Sequence, residues 1–253
     1  MDTTDDAVLG GRLRLLQPKR GHRVGHDAIL LAAATGGSAG EHVVDFGAGI
    51  GGAGLALAAR VPGLRVTLIE IERSLCDLAN ENARRNALAD RVHALACDVE
   101  DSAALAAAGL REGNADRVLM NPPFNDPARQ QSSPDPDRRR AHVAREGSLT
   151  RWLASAAWML KPNGVLTLIW RAVDRDAVVD ALAPAFGAIA VMPVLPRPDA
   201  EAIRILVRAV KGGSGRLPDL PELALNDAGG KPSAAAEAVL REAKPLALAE
   251  IVD

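Results

Sequence analysis

Tyrosine is absent from this 253-residue chain, and the other aromatics are only three Trp and three Phe. No tyrosine is available as an acid catalyst, and any ring placed beside a site stands out. Cysteine occurs only at Cys76 and Cys97, which form no metal-spaced cluster, so no metal site is expected. One disulfide could join them, but two reduced cytoplasmic thiols are the simpler reading. No apolar run approaches the ~20 residues a membrane span needs. The opening Met1-Asp2-Thr3-Thr4-Asp5-Asp6 is acidic and polar, unlike a secretory signal, so a cytoplasmic protein is expected. A dominant charge is missing too: 30 Lys and Arg stand against 32 Asp and Glu, a net −2. No overall field attracts nucleic acid, so any RNA or DNA contact must use local basic patches. With 48% hydrophobic and 25% charged residues, the chain suits one large α/β domain or two small ones.

What is present centres on Asn121-Pro122-Pro123-Phe124. It follows Asp116–Met120, which reads as a buried strand. A Pro pair cannot donate to a ladder, so the strand stops there. Asn121 is thereby left at a strand's carboxyl end, where open α/β sheets bind ligands. Its amide oxygen and the next carbonyl can accept two N–H bonds from a planar amine, and Phe124 can stack on the ring. The bland reading is a turn begun by Asn-Pro.

Upstream, His42–Phe46 is a short apolar strand running into Gly47-Ala48-Gly49-Ile50-Gly51-Gly52 and then a helix, Ala53–Arg60. Strand, Gly-rich turn and helix open a doubly wound nucleotide-binding fold. Arg65–Glu70 is the next strand. Glu70 lies about 20 residues past the glycines, where an acid takes ribose hydroxyls; alternatively it is an ordinary polar strand end. Ser74–Asn86 is helical. Val92–Cys97 is a strand followed by Asp98, a carboxylate not needed to cap the helix Ala103–Ala108, since Asp101 and Ser102 are better placed. Asp98 is therefore a candidate for an adenine amine. The polar segment from Asn125 to Ser148, which includes Arg138-Arg139-Arg140-Ala141-His142, reads as a substrate loop or a linker. Leu149–Leu160 reads as a helix with Trp152, Ala156 and Met159 on a core face.

Residues 9–26 carry Arg12, Arg14, Lys19, Arg20 and Arg23 and no acid. Leu13 and Leu15 alternate with Arg12 and Arg14, as in an edge strand or hairpin. Either the arginines form a solvated edge or they make a basic wall beside the site. Asp27–Ala34 reads as a helix capped by Asp27 and ended by Gly36-Gly37. After Gly164–Trp170 and a helix at Asp174–Leu182, Phe186–Leu195 and Ala202–Val210 form an antiparallel pair. The count is seven strands. Residues 212–253 read as a packed appendage with a helix near Ala234–Glu242, and the Ala-rich helices suit a monomer or a dimer alike.

These features resemble the S-adenosylmethionine-dependent methyltransferases. Asp45-Phe46-Gly47-Ala48-Gly49 resembles their nucleotide loop, Glu70 their ribose acid and Asp98 their adenine acid. Asn121-Pro122-Pro123-Phe124 resembles the Asn/Asp-Pro-Pro-aromatic motif of the amino methyltransferases. Leu9–Pro18, Gly21-His22-Arg23 and Asp27–Ala32 further resemble the start of the bacterial tRNA1(Val) adenine-N6 methyltransferases. Phe124 stands where many of these have Tyr, and His22 where an aromatic is frequent. The resemblance implies a Rossmann-like α/β fold with a seven-stranded, mostly parallel sheet ending in an antiparallel hairpin. It implies one domain: residues 1–38 covering the site, 39–211 the core, 212–253 the appendage. S-adenosylmethionine, leaving as S-adenosylhomocysteine, would be held by Arg23, Asp27, Asp45, Phe46, Gly47, Gly49, Glu70, Ile71, Asp98, Val99 and Asn121. Catalysis would fall to Asn121, Pro122, Pro123 and Phe124. RNA, most simply a tRNA, would meet Arg138, Arg139, Arg140, His142, the basic N-terminal segment, Arg204 and Arg208.

Three rivals stand beside this. Gly47-x-Gly49-x-x-Gly52 also matches a dinucleotide fingerprint, as in an NAD-dependent dehydrogenase, but no hydride-transfer acid is evident. A protein glutamine amide fits the same grip, although release-factor methyltransferases usually carry a helical N-terminal domain and about forty residues precede the first core strand here. A non-enzymatic scaffold on the same fold is the third.

Overall fold

The computed structural model describes residues 2–20, 23–123 and 136–251, with the backbone alone for 136–147. The chain begins with a hairpin of β1 (Thr3–Val8) and β2 (Leu13–Pro18), then α1 (His26–Ala34). The alternation of Leu13, Arg14 and Leu15 is realised as buried, exposed, buried. The acidic strand β1 was not legible as a strand. Its acids pair with the arginines that follow: Asp5 with Arg14 at 3.2 Å and Arg85 at 2.6 Å, Asp6 with Arg23 at 2.5 Å, Asp2 with Lys19 at 2.9 Å. Of the two readings, solvated edge or basic wall, the wall is weakened, because Arg14, Lys19 and Arg23 are paired with acids of the same hairpin. The cap of α1 also differs. Gly25 is the N-cap, and Asp27 lies in the first turn, bonded to Arg204 at 2.9 Å.

Next come β3 (His42–Phe46), α2 (Gly52–Arg60), β4 (Arg65–Glu70), α3 (Arg73–Arg85), β5 (Val92–Ala96), α4 (Ser102–Ala107) and β6 (Ala115–Met120). Asp101 caps α4, its side chain accepting from Ala104 N–H at 2.9 Å. Then α5 (Pro136–Met159) leads into β7 (Leu160–Arg171), α6 (Arg175–Leu182), β8 (Phe186–Leu195) and β9 (Arg204–Lys211). The segment read as a loop up to Ser148 is therefore helical from Pro136 onward. Pro at the first helical position needs no N–H partner, so it starts a helix as readily as it breaks one. The chain closes with β10 (Leu223–Ala224) and α7 (Ala234–Leu240).

The main sheet runs β10-β8-β9-β7-β6-β3-β4-β5. It has eight strands rather than seven, because β10 adds in parallel to β8 through Leu223↔Val194 and Ala224↔Leu195. Two residues just after Pro218 and Pro221 carry no readable period, and only the free edge of β8 makes them a strand. Strands β3 to β7 are parallel, and β9 is antiparallel to both β7 and β8, as expected.

Both faces are covered. Val43, Val66 and Leu68 pack with α1, α2 and α3 on one side. Val44, Phe46, Ile69, Val118 and Leu166 pack with α5 and α6 on the other. This explains why these strands read as apolar runs rather than alternating ones. From β3 the chain moves outward through β4 and β5, then returns to β6 on the opposite side of β3. That reversal is the topological switch point, where a crevice opens beyond the carboxyl ends of the strands.

Candidate functional site

Strand register brings the motifs together. Phe46 pairs with Ile69 on one side and Met120 on the other, so Gly47, Glu70 and Asn121 emerge from adjacent strand ends. Glu70 pairs with Ala96, which places Asp98 just beyond the next end. Asn121 is half-buried, Pro122 buried and Pro123 exposed. Phe124 lies outside the described residues, as do Gly21 and His22.

The glycine loop turns on left-handed residues. Gly47, Gly49 and Gly51 have φ of 64°, 57° and 89°. The Ala48 N–H donates to the Ile69 carbonyl at 2.9 Å, and Gly51 N–H to the Ala48 carbonyl at 2.8 Å. Glu70 holds this loop from the side. One carboxylate oxygen accepts Gly49 N–H at 2.8 Å and the other accepts Glu72 N–H at 2.9 Å. A carboxylate has about four acceptor positions, so two remain for hydroxyls. Ile71 beside it is 68% exposed, an unusual state for a large apolar side chain and a flat surface on which a ring could lie. Asp98 uses one oxygen to accept Glu100 N–H at 2.9 Å. Val99 is buried next to it.

Asp45 sits beneath the loop with 2% of its surface exposed, accepting Gly54 N–H at 2.8 Å. Burial pushes its carboxyl up to about 7, the Gly54 bond opposes the rise, and the nearby Glu70 charge adds to it.

Trp152 is a buried core residue, as its helical spacing indicates, and it lies directly under the glycine loop. Its ring packs edge-on to Phe46, with centroids 6.4 Å apart and planes at 74°. A Cβ at Gly47 would fall 2.5 Å from the Trp152 ring. Glu100 fixes that ring, accepting from Trp152 Nε1 and Ser148 Oγ at 3.1 Å each, and from Arg151 Nε. That Gly47 meets the Trp152 ring is a long-range contact that no local pattern in the sequence reveals. Gly47→Ala should therefore cost about tenfold or more in ligand affinity at this loop, since it combines left-handed strain with a collision against a braced ring. Tryptophan fluorescence should change in the same variant; an unaltered spectrum with unaltered affinity would count against that contact.

Other expected residues have partners within the fold. Arg23 braces the hairpin, donating to Thr4 Oγ1 at 3.0 Å and the Pro18 carbonyl at 3.1 Å besides its Asp6 pair. Asp27 faces Arg204 across the gap between α1 and β9. Arg208, expected to meet RNA, is buried, 2% exposed. Arg138, Arg139, Arg140 and His142 fall on the first turns of α5, and their side chains lie outside the description. Cys76 and Cys97 are both buried and unbridged. Among the described residues no cluster of His, Cys, Asp and Glu could hold a metal, and no helix is long and apolar enough to cross a membrane.

Comparison with known proteins agrees with this geometry. A solved protein from Agrobacterium tumefaciens, described as a predicted O-methyltransferase, superposes with a TM-score of 0.71 at 28% identity, over 84% of this chain and 94% of its own. A tRNA1(Val) (adenine(37)-N6)-methyltransferase of Porphyromonas gingivalis is 35% identical over 164 residues, 62% of this chain and 61% of the relative. A release factor glutamine methyltransferase of Moorella thermoacetica is 33% identical over 160 residues, 61% of this chain and 54% of the relative. The chain thus spans only about three fifths of the length of these curated relatives. The sequence pattern of the methyltransferase small domain matches residues 26–193, from the first turn of α1 to the end region of β8 and through every strand of the crevice. With its glycine loop, strand-end acids and switch-point crevice in that matched region, the chain belongs to the methyltransferase small domain family.

Proposed function

We propose that this protein is an S-adenosylmethionine-dependent methyltransferase of RNA in the cytoplasm, acting on N6 of an adenine in a tRNA anticodon loop. The observation that carries this is Asn121-Pro122 at the end of β6, one strand from the glycine loop and two from Glu70.

The residues present fit the cofactor. A Cβ at Gly49 would meet nothing within 4 Å, so the loop leaves room for a ligand at its turn. Glu70 has acceptor positions to spare for ribose hydroxyls, Ile71 offers an apolar face, and Asp98 can accept from an exocyclic amine. When bound, S-adenosylmethionine supplies an electrophilic methyl on a cationic sulfur. The chain's own task is to make a poor nucleophile attack. An adenine amine is unreactive because its lone pair is delocalised into the ring. Asn121 Oδ1 and the Pro122 carbonyl would accept its two N–H bonds and turn the nitrogen toward tetrahedral geometry, aiming the lone pair out of the ring plane. The rigid Pro-Pro backbone keeps that carbonyl in place, so orientation and electrostatics do the work. No base is required before attack. The proton becomes acidic only once the nitrogen is methylated, and Asn121 Oδ1 holds it until water takes it. The base would have to leave its stack to enter the crevice.

The name of the Porphyromonas relative supports a tRNA adenine, and that of the Moorella relative supports a glutamine amide. The first is preferred because the curated tRNA relatives include the stronger match. The test is transfer of labelled methyl from S-adenosylmethionine to bulk tRNA from a strain lacking this protein. Label in N6-methyladenosine is the expected result. Label appearing only in a protein glutamine, with tRNA blank, would sink the RNA reading.

A further inference from the structure

Helix α3 carries Asn80 and Asn82, and Asn86 is its C-cap; each of the three engages a strand's main chain with both ends of its amide. Asn80 accepts Ala94 N–H at 2.9 Å and donates to the Ala94 carbonyl at 3.1 Å, covering the edge strand β5. Asn82 and Asn86, four residues apart, share the opposite face. Asn86 accepts Arg14 N–H and donates to the Arg14 carbonyl, both at 2.9 Å. Asn82 accepts Leu16 N–H at 2.8 Å and donates to the Leu16 carbonyl at 3.1 Å.

A carboxamide presents the same donor and acceptor pair as a peptide group, so α3 acts as a surrogate strand along β2. The spacing works because four helical residues rise about 6 Å and two strand residues about 6.7 Å. The outer edge of β2 is thereby closed, which removes a template for unwanted strand pairing.

Asn82 does one thing more. It is fully buried, and its Nδ2 also donates to the Ile50 carbonyl at 3.2 Å. Ile50 lies inside the glycine loop, between Gly49 and Gly51. A single side chain thus ties the main chain of β2 to the loop. A second tie runs parallel to it. Buried Gln17 accepts Val24 N–H at 2.8 Å, and the Val24 methyls lie where a Cβ at Gly52 would be, 2.6 Å away.

We propose that Asn82 is a positioning residue that couples the N-terminal hairpin to the cofactor loop, so that occupancy of the loop is felt at the main chain of β2. This rests on the reading that the glycine loop binds S-adenosylmethionine. Asn86 supplies the internal control, since it grips the same strand by the same geometry but has no bond to the loop. If Asn82 only covered an edge, the two would behave alike.

The experiment is residue-resolved amide exchange by NMR on the unaltered protein, with and without saturating S-adenosylmethionine. Exchange at Leu16 is expected to slow about tenfold together with Gly49 to Gly52, while Arg14 changes much less. Protection confined to the loop, or equal at Leu16 and Arg14, overturns the coupling and leaves the cofactor reading standing. Protection nowhere overturns both. Paired variants give a second readout. Asn82→Asp keeps the acceptor for Leu16 N–H but turns a carboxylate oxygen toward two carbonyls. It is expected to raise the S-adenosylmethionine Kd about tenfold, while Asn86→Asp stays near the parent value. Equal Kd values in two folded variants would reject the proposal, and an unfolded Asn82→Asp leaves the exchange experiment to decide.

Discussion

Asn121→Ala is expected to abolish methyl transfer, lowering turnover by about 10²–10³ or more, while S-adenosylmethionine still binds. The separation follows from where the groups lie. Most of the contacts expected to hold the cofactor come from the ends of β3, β4 and β5, through the Gly47–Gly52 loop, Glu70, Ile71 and Asp98, so the loss of one contact at Asn121 leaves them in place. Asn121 follows β6, across the switch point, and on the proposed reading it serves the amine rather than the cofactor. Truncation to Ala removes one of two acceptors and leaves the Pro122 carbonyl alone to orient the target nitrogen. The amine then rotates freely about its remaining bond, and the lone pair is no longer held out of the ring plane. Asn121→Asp retains an acceptor and should keep measurable activity. Calorimetric titration with S-adenosylmethionine beside the methyl-transfer assay makes the distinction. Loss of cofactor binding in Asn121→Ala would falsify the division of labour between the two sides of the crevice.

The second large effect concerns stability against pH. Asp45 has an ordinary value of 3.8, and burial pushes it up to about 7 in the fold. Between those values the folded protein binds a proton that the unfolded chain does not. This group's favourable contribution is therefore complete below about pH 4 and is lost as pH rises through about 7. The interval corresponds to about 4 kcal/mol, an order-of-magnitude figure for a carboxyl shut off from water. Asn at this position keeps an oxygen for Gly54 N–H and has no proton to lose. The stability of Asp45→Asn relative to the parent should accordingly improve across pH 4 to 7 and level off above it. Urea unfolding at stepped pH measures this directly, and a difference that stays flat would show that Asp45 is charged in the fold throughout. Close contact explains why the acid is so isolated. A Cβ at Gly54 would lie 2.3 Å from Leu68 and 3.0 Å from the Asp45 carboxylate, so α2 packs on the sheet without a gap for water.

Several elements could be read before the structure because their signals are local. Strands His42–Phe46, Arg65–Glu70 and Phe186–Leu195 are found with the same bounds that their apolar runs indicate. Such runs are bounded by turn residues, and a strand buried on both faces needs nothing else to declare itself. The Gly-x-Gly turn between strand and helix, the acid at the end of the next strand and Asn-Pro-Pro at the end of β6 are likewise short-range patterns. Their placement on adjacent strand ends follows from the chirality and connectivity of parallel sheets.

What escaped the sequence depends on partners far away in the chain. The acidic run Thr3–Val8 looks like an exposed tail until Arg14, Arg23 and Arg85 neutralise it, and only then is it a strand. The same pairing weakens the basic wall that residues 9–26 suggest in isolation. Leu223–Ala224 becomes a strand because β8 has a free edge to offer. Trp152 is core by its helical spacing, and only the fold shows that its ring lies against Gly47. Asn82 is an unremarked polar residue in a helix until β2 and the glycine loop are brought to it from 66 and 32 residues away. The amino-acid order by itself determined the α/β class, the strand ends and the chemistry available there, since propensity and period act over a few residues. Only the tertiary structure decided which charges are spent within the fold and which side chains brace the loop, because ion pairs and buried amides take their meaning from long-range neighbours.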